Sequence, residues 1–254
     1  MGAPAVKLFL EREEVNPESR DNAGRTPLSF AADTYKGEGS VRLLLEWEGV
    51  NPDSRDNAGR TPLSHAAGTY DGKEAIKILL EREEVNPDSR DNDGRTPLSH
   101  AAGTDDVEEL VGFLLEREEV DPDSRDNSGR TPLSYAADAH ADEGAAKLLL
   151  EREEVDPDSR DNAGRTPLSH AAGAYAREGA AKLLLERQEV DPDSRDNNGR
   201  TPLSHAAYIP WGQGAIKLLL EREEVDPESR DNDGQTPLSH ASYVTSIELL
   251  LERV

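Results

Sequence analysis

"DPDSRDNSGRTPLSYAA", residues 121–137, decides the fold. Acidic side chains on alternate positions ahead of a glycine suggest a calcium loop, whereas Thr-Pro-Leu-Ser reads as a helix start. An EF-hand loop needs oxygen ligands at positions 1, 3, 5 and 12 with glycine at position 6. Counted from Asp121, position 5 is Arg125 and position 6 is Asp126, so a guanidinium stands where a ligand belongs. The stretch is therefore a turn leading into a helix N-terminus. Thr131 is the N-cap and Pro132 the first helical residue, with Leu133, Ala136 and Ala137 forming a small apolar face.

Working outward, Ser-Arg-Asp-Asn begins at Ser19, Ser54, Ser89, Ser124, Ser159, Ser194 and Ser229, always 35 residues apart. Such a period marks stacked copies of one supersecondary unit. Each copy runs through a short first helix and a Gly- or acid-rich break to a second helix, "EGAAKLLLEREE" in the fourth copy. A Pro-, Asp-, Asn- and Gly-rich finger then leads to the next copy. The expected fold is all-α, a solenoid of helix-turn-helix units. Residues 1–18 align with a second helix and finger, 19–228 hold six full units, and 229–254 form a shortened one. In that last copy Ala241 to Leu251 spans 10 positions where Ala206 to Leu220 spans 14.

The recurring Asp-x-x-Gly-(Arg/Gln)-Thr-Pro-Leu-Ser-x-Ala resembles the ankyrin-repeat family, whose hallmark is Thr-Pro-Leu-His-x-Ala in a unit of a β-turn and two antiparallel helices. Serine replaces the usual histidine at Ser29, Ser64, Ser99 and their equivalents, and the unit exceeds the typical 33 residues. Tetratricopeptide repeats have a similar period, but their Trp, Gly and Tyr landmarks are missing. The wording "GRTPLSHAA…LLLEREEVDPDSRDN" is also similar to ankyrin arrays of filamentous fungi, often C-terminal in nucleotide-dependent immune-type receptors. The resemblance implies a protein-binding scaffold or sensor that recognises its partner through finger tips and first-helix ends on a concave face.

Composition narrows the partner. A net charge of -24 argues against nucleic acid or an anionic membrane, which need Lys and Arg to neutralise phosphates, and favours a neutral or basic protein. The apolar runs are too short to span a bilayer, and the N-terminus lacks a signal peptide's long apolar stretch. Absence of cysteine removes disulfides, thiolate nucleophiles and Cys-based zinc, and fits an intracellular, cytoplasmic protein. Serine, histidine and aspartate recur as parallel ladders that do not converge on one pocket, so neither an enzyme nor a cofactor is expected.

His65, His100, His170, His205 and His240 share one position of the first helix with Phe30 and Tyr135. Stacked units lie roughly 10 Å apart, too far for neighbouring imidazoles to share a zinc ion, and aromatic replacement suits a semi-buried ring or a pH-tunable contact. The Arg and Asp ladders, such as Arg125, Asp126 and Arg130, repeat unchanged and fit pairing within the stack. Differences among copies are the better pointer to a partner. They fall at the finger tip, as Asp93, Ser128 and Asn198, and after the first helix, as Tyr35, Tyr70, Tyr175, Tyr208 and Trp211. Together with the ring positions, these form the expected protein-binding set. A spacer or end-to-end self-associating rod without a specific ligand is the alternative.

Overall fold

Threonine, proline and leucine start each first helix in the computed structural model, which describes residues 16–104, 108–139, 143–174 and 178–252. The chain packs as two units, Met1–Asp121 and Pro122–Val254. In the first, short helices α1 (Pro27–Ala32), α3 (Pro62–Ala67) and α5 (Pro97–Ala102) lie side by side. They are backed by α2 (Glu38–Leu45), α4 (Lys73–Leu80) and α6 (Glu108–Leu115). In the second unit the first helices are α7 (Pro132–Asp138), α9 (Pro167–Gly173), α11 (Pro202–Tyr208) and α13 (Pro237–His240). Their partners are α8 (Gly144–Leu150), α10 (Gly179–Leu185), α12 (Gln213–Leu220) and α14 (Val244–Leu251). No strand occurs among the described residues.

The first helices can be so short because their ends are bonded and their faces small. Thr131 caps α7, its Oγ1 accepting from the Ser134 amide at 3.3 Å. The Ser134 hydroxyl lies 3.2 Å from the same oxygen, and the Ser159 hydroxyl of the following repeat lies 3.4 Å away. The serine that replaces the family's usual histidine thus completes a cap, and the serine of Ser-Arg-Asp-Asn ties that cap to the next repeat. Leu133, Leu168 and Leu203 are fully buried, as are Ala137, Ala172 and Ala207, where alanine lets helices approach closely.

Fingers stack by backbone hydrogen bonds. The Asn162 amide donates to Ser128 O at 2.8 Å and its side chain donates to Asn127 O at 3.0 Å. The same pair of bonds joins Asn57 to Ala23 and Asn22 in the first unit. This closeness demands glycine: Gly24 sits at φ +78°, and a side-chain carbon there would meet the Asn57 backbone nitrogen at 2.8 Å.

The second helices end earlier than the sequence suggests. Alpha8 stops at Leu150, and Glu151 to Glu154 form turns instead of a last helical turn. The acidic run therefore does not extend the helix. Its arginines reach backward: Arg82 donates to Leu45 O at 2.7 Å and Arg222 to Leu185 O at 3.3 Å, each placing a cation on the C-terminal carbonyls of the preceding second helix.

Candidate protein-binding surface

The finger aspartate organises the ring position. Asp56 Oδ1 accepts the amides of Ala58 and Arg60, both at 2.9 Å, which closes the finger turn. Asp56 Oδ2 meets His65 Nε2 at 2.9 Å. The arrangement repeats at His100 with Asp91, His170 with Asp161, His205 with Asp196 and His240 with Asp231, at 2.8–3.1 Å. Tyr135 replaces histidine and donates its hydroxyl to Asp126. Phe30 cannot donate, and there Arg25 Nε takes over, bonding Asp21 Oδ2 at 2.9 Å.

These rings are mostly spent on the stack. His65 is 3% exposed and His170 7%, so of the expected binding residues these two offer a partner almost no surface. His100, His205 and Tyr135 are half-buried, whereas Phe30 is exposed. Burial first, then the Arg165 guanidinium, lowers the His205 pKa to about 4 although Asp196 pulls it up. Burial also lowers His65, His100 and His170. These four imidazoles, His65, His100, His170 and His205, are thus neutral hydrogen-bonding groups at pH 7.

The arginine ladder is likewise engaged. Arg125 donates to Arg160 O at 2.7 Å, and Arg160 donates to Arg195 O at 2.6 Å. Finger-tip residues Asp93, Ser128 and Asn198 bond through their amides to Asp91, Asp126 and Asp196 while their side chains face solvent. The most exposed large rings stand at the end of a first helix or in the turn that follows it. Tyr35 and Tyr70 in the first unit are 65% and 66% exposed, and Tyr208 and Trp211 in the second are 68% and 69% exposed. Tyr175 lies outside the described residues.

Two features escaped the reading of the sequence. The Asp–ring pair has a signal, since aspartate stands nine residues before the ring in every copy. The other is a cleft in the second unit, lined by Glu178, Trp211, Gly212 and five alanines including Ala174 and Ala181. Alanine at 181, where most copies carry valine or isoleucine, was the clue to it.

No helix among the described residues is long and apolar enough to cross a membrane, and no cluster of three or more potential metal ligands occurs among them. The sequence matches the family model for ankyrin repeats (3 copies) over overlapping segments 2–91, 35–126, 70–161, 103–196, 139–229 and 174–253. A search of curated proteins finds no match. Among solved structures, the crystal structure of the human ASB11 ankyrin repeat domain is similar in fold. Its TM-score is 0.75 at 24% identity, over 91% of this chain and 98% of that one. With matched segments running from residue 2 to residue 253 and the fold agreeing, the chain belongs to the ankyrin-repeat family.

Proposed function

We propose that the array is a non-catalytic scaffold or sensor that binds a neutral or basic protein through its interhelix loops and finger tips. Ankyrin repeats are generally protein-interaction modules. One observation carries the finer reading: the invariant Arg and Asn ladders and the histidines bond within the stack, while rings that differ between copies project into solvent at Tyr35, Tyr70, Tyr208 and Trp211. Large aromatic anchors dominate interface energetics when a partner covers them. A stack built only as a spacer has no use for them, and their exposure has a hydration cost.

The test is capture of the partner from extracts of cells that make the protein, followed by calorimetry on variants. Replacing Tyr208 and Trp211 by alanine weakens binding by about tenfold or more, whereas Arg125→Ala changes it by no more than about twofold. Equal losses would place the recognition surface on the ladder instead. If no loop variant affects any captured protein, the spacer reading takes its place.

A further inference from the structure

The departures from the repeat pattern in the second unit converge on one cleft. Ala181 in α10 stands where α2, α4, α6 and α12 carry Val41, Ile76, Val111 and Ile216. Ala174 stands where Thr34, Thr69 and Thr104 stand in the first unit, and Trp211 where Lys36 and Asp71 stand. The methyl groups missing at 174 and 181 leave a space of about 260 Å³ floored by alanine and walled by the Trp211 indole. Alpha8 shares the small residue, Ala146, but in the next copy the residue in register with Trp211 is Ala176. A small floor and a large wall occur together only here among the copies.

The cleft has one charged wall. Glu178 precedes α10, and its carboxyl group lies against Gly214 at the start of α12, so closely that a side chain at 214 would collide with it. Glycine at 214 gives that carboxylate its place. Small-molecule sites run to about 300–1,000 Å³, so this cleft suits a single side chain. An alanine floor and an indole face take an alkyl chain, and the indole face and a carboxylate both attract a cation. Lysine is the side chain that combines a long alkyl stem with a compact cation.

We propose that the cleft beside Trp211 receives one lysine side chain from a basic segment of the partner protein. The stem lies on the alanine floor against the indole, and the ammonium meets the Glu178 carboxylate. The net charge of -24 favours the approach of such a segment. This assignment rests on the reading of the array as a protein-binding scaffold and adds the chemistry of its central contact.

The test uses the full chain, isotope-labelled, with the Trp211 indole resonance as reporter. The probes are two capped pentapeptides, Gly-Gly-Lys-Gly-Gly and the same peptide with norleucine in place of lysine. The lysine peptide shifts the resonance at millimolar concentration and binds about tenfold more tightly than its twin. Glu178→Gln reduces the lysine peptide to the level of the norleucine one. Ala181→Ile closes the cleft to both peptides with the melting temperature held, because isoleucine already occupies that position in α4 and α12. Equal affinity for the two peptides, lysine binding that survives Ala181→Ile, or no shift of the Trp211 signal overturns the assignment. The peptides report on the cleft alone. A captured protein that is indifferent to both variants but sensitive to the exposed tyrosines would sink the lysine site and leave the scaffold reading standing.

Discussion

Replacing Asp158 and Asp193 together by asparagine raises the melting temperature at pH 7.5 by about 5 °C, and the gain vanishes near pH 4. Both carboxyl groups are half-buried at the base of a finger, each with one oxygen that has no hydrogen-bond partner among the described residues. Burial first, then the Asp191 and Asp156 carboxylates, pushes Asp158 up to about 6 against the pull of Arg160 and of the Asp191 amide. For Asp193, burial and the Asp226 and Asp191 carboxylates act against Arg195 and the Asp226 amide, again reaching about 6.

An unfolded aspartate titrates near 3.8, so between there and pH 6 the folded state binds more protons and stability falls as pH rises. The nominal loss is ~3 kcal/mol per carboxyl, and solvent screening of these half-exposed groups reduces it to ~1 kcal/mol. Asparagine keeps an acceptor for the neighbouring amide and carries no charge to lose. The histidines act with the opposite sign. His205, lowered to about 4 from 6.5, contributes stability that is full above pH 6.5 and is lost as pH falls toward 4. Wild-type stability is therefore flatter between pH 4 and 6.5 than either set alone would make it, and the asparagine variant reveals the histidine slope. Identical pH profiles for the two proteins, measured by scanning calorimetry, would refute the assignment. Asp191→Asn provides a second check, because it removes a carboxylate that faces both groups.

Most of the fold was legible because repetition wrote it seven times. Thr-Pro at a helix start, Gly at a left-handed position and buried leucine at a fixed spacing each need only local rules, and the copies agree. The helix ends were less legible. "LLEREE" continues a helical pattern on composition, but the arginine in it is bonded to a carbonyl 37 residues earlier, as Arg222 is to Leu185. No local rule contains that contact. The same holds for the candidate binding surface. Tyr208 and Trp211 stood out as departures and are exposed, whereas His65 and His170 looked like surface candidates until burial and their aspartates were placed. The cleft beside Trp211 joins three helices, α9, α10 and α12, and its visible signs were scattered along the chain, small residues at 174 and 181 and a tryptophan at 211.

Removing the finger aspartate has the largest expected effect in the molecule. Asp196 is 6% exposed; its Oδ1 accepts from the Asn198 amide at 2.8 Å and the Arg200 amide at 2.9 Å, and its Oδ2 holds His205 Nε2 at 3.1 Å. Asp196→Ala strips three donors of their acceptor at once, two of them backbone groups that fix the finger. With each unpaired buried donor costing ~1–3 kcal/mol, and some water entering the loosened finger, the loss is about 3–4 kcal/mol. Changing the ring instead is mild, because other copies already carry the alternatives. Tyr135 bonds Asp126 as His205 bonds Asp196, so His205→Tyr stays within ~1 kcal/mol of wild type. His205→Phe follows the first copy, where Arg25 Nε bonds Asp21 beside Phe30. The equivalent Arg200 Nε is buried without a hydrogen bond and lies 3.6 Å from Asp231 Oδ2. Freed by the loss of the imidazole, it turns to Asp196. His205→Phe alone is therefore tolerated, while His205→Phe with Arg200→Ala costs more than the two single changes added together, by about 1 kcal/mol or more. Thermal melts of these variants, with Arg200→Ala alone among them, decide the matter: if Asp196→Ala proves no worse than His205→Phe, the aspartate is not what holds the finger to its helix.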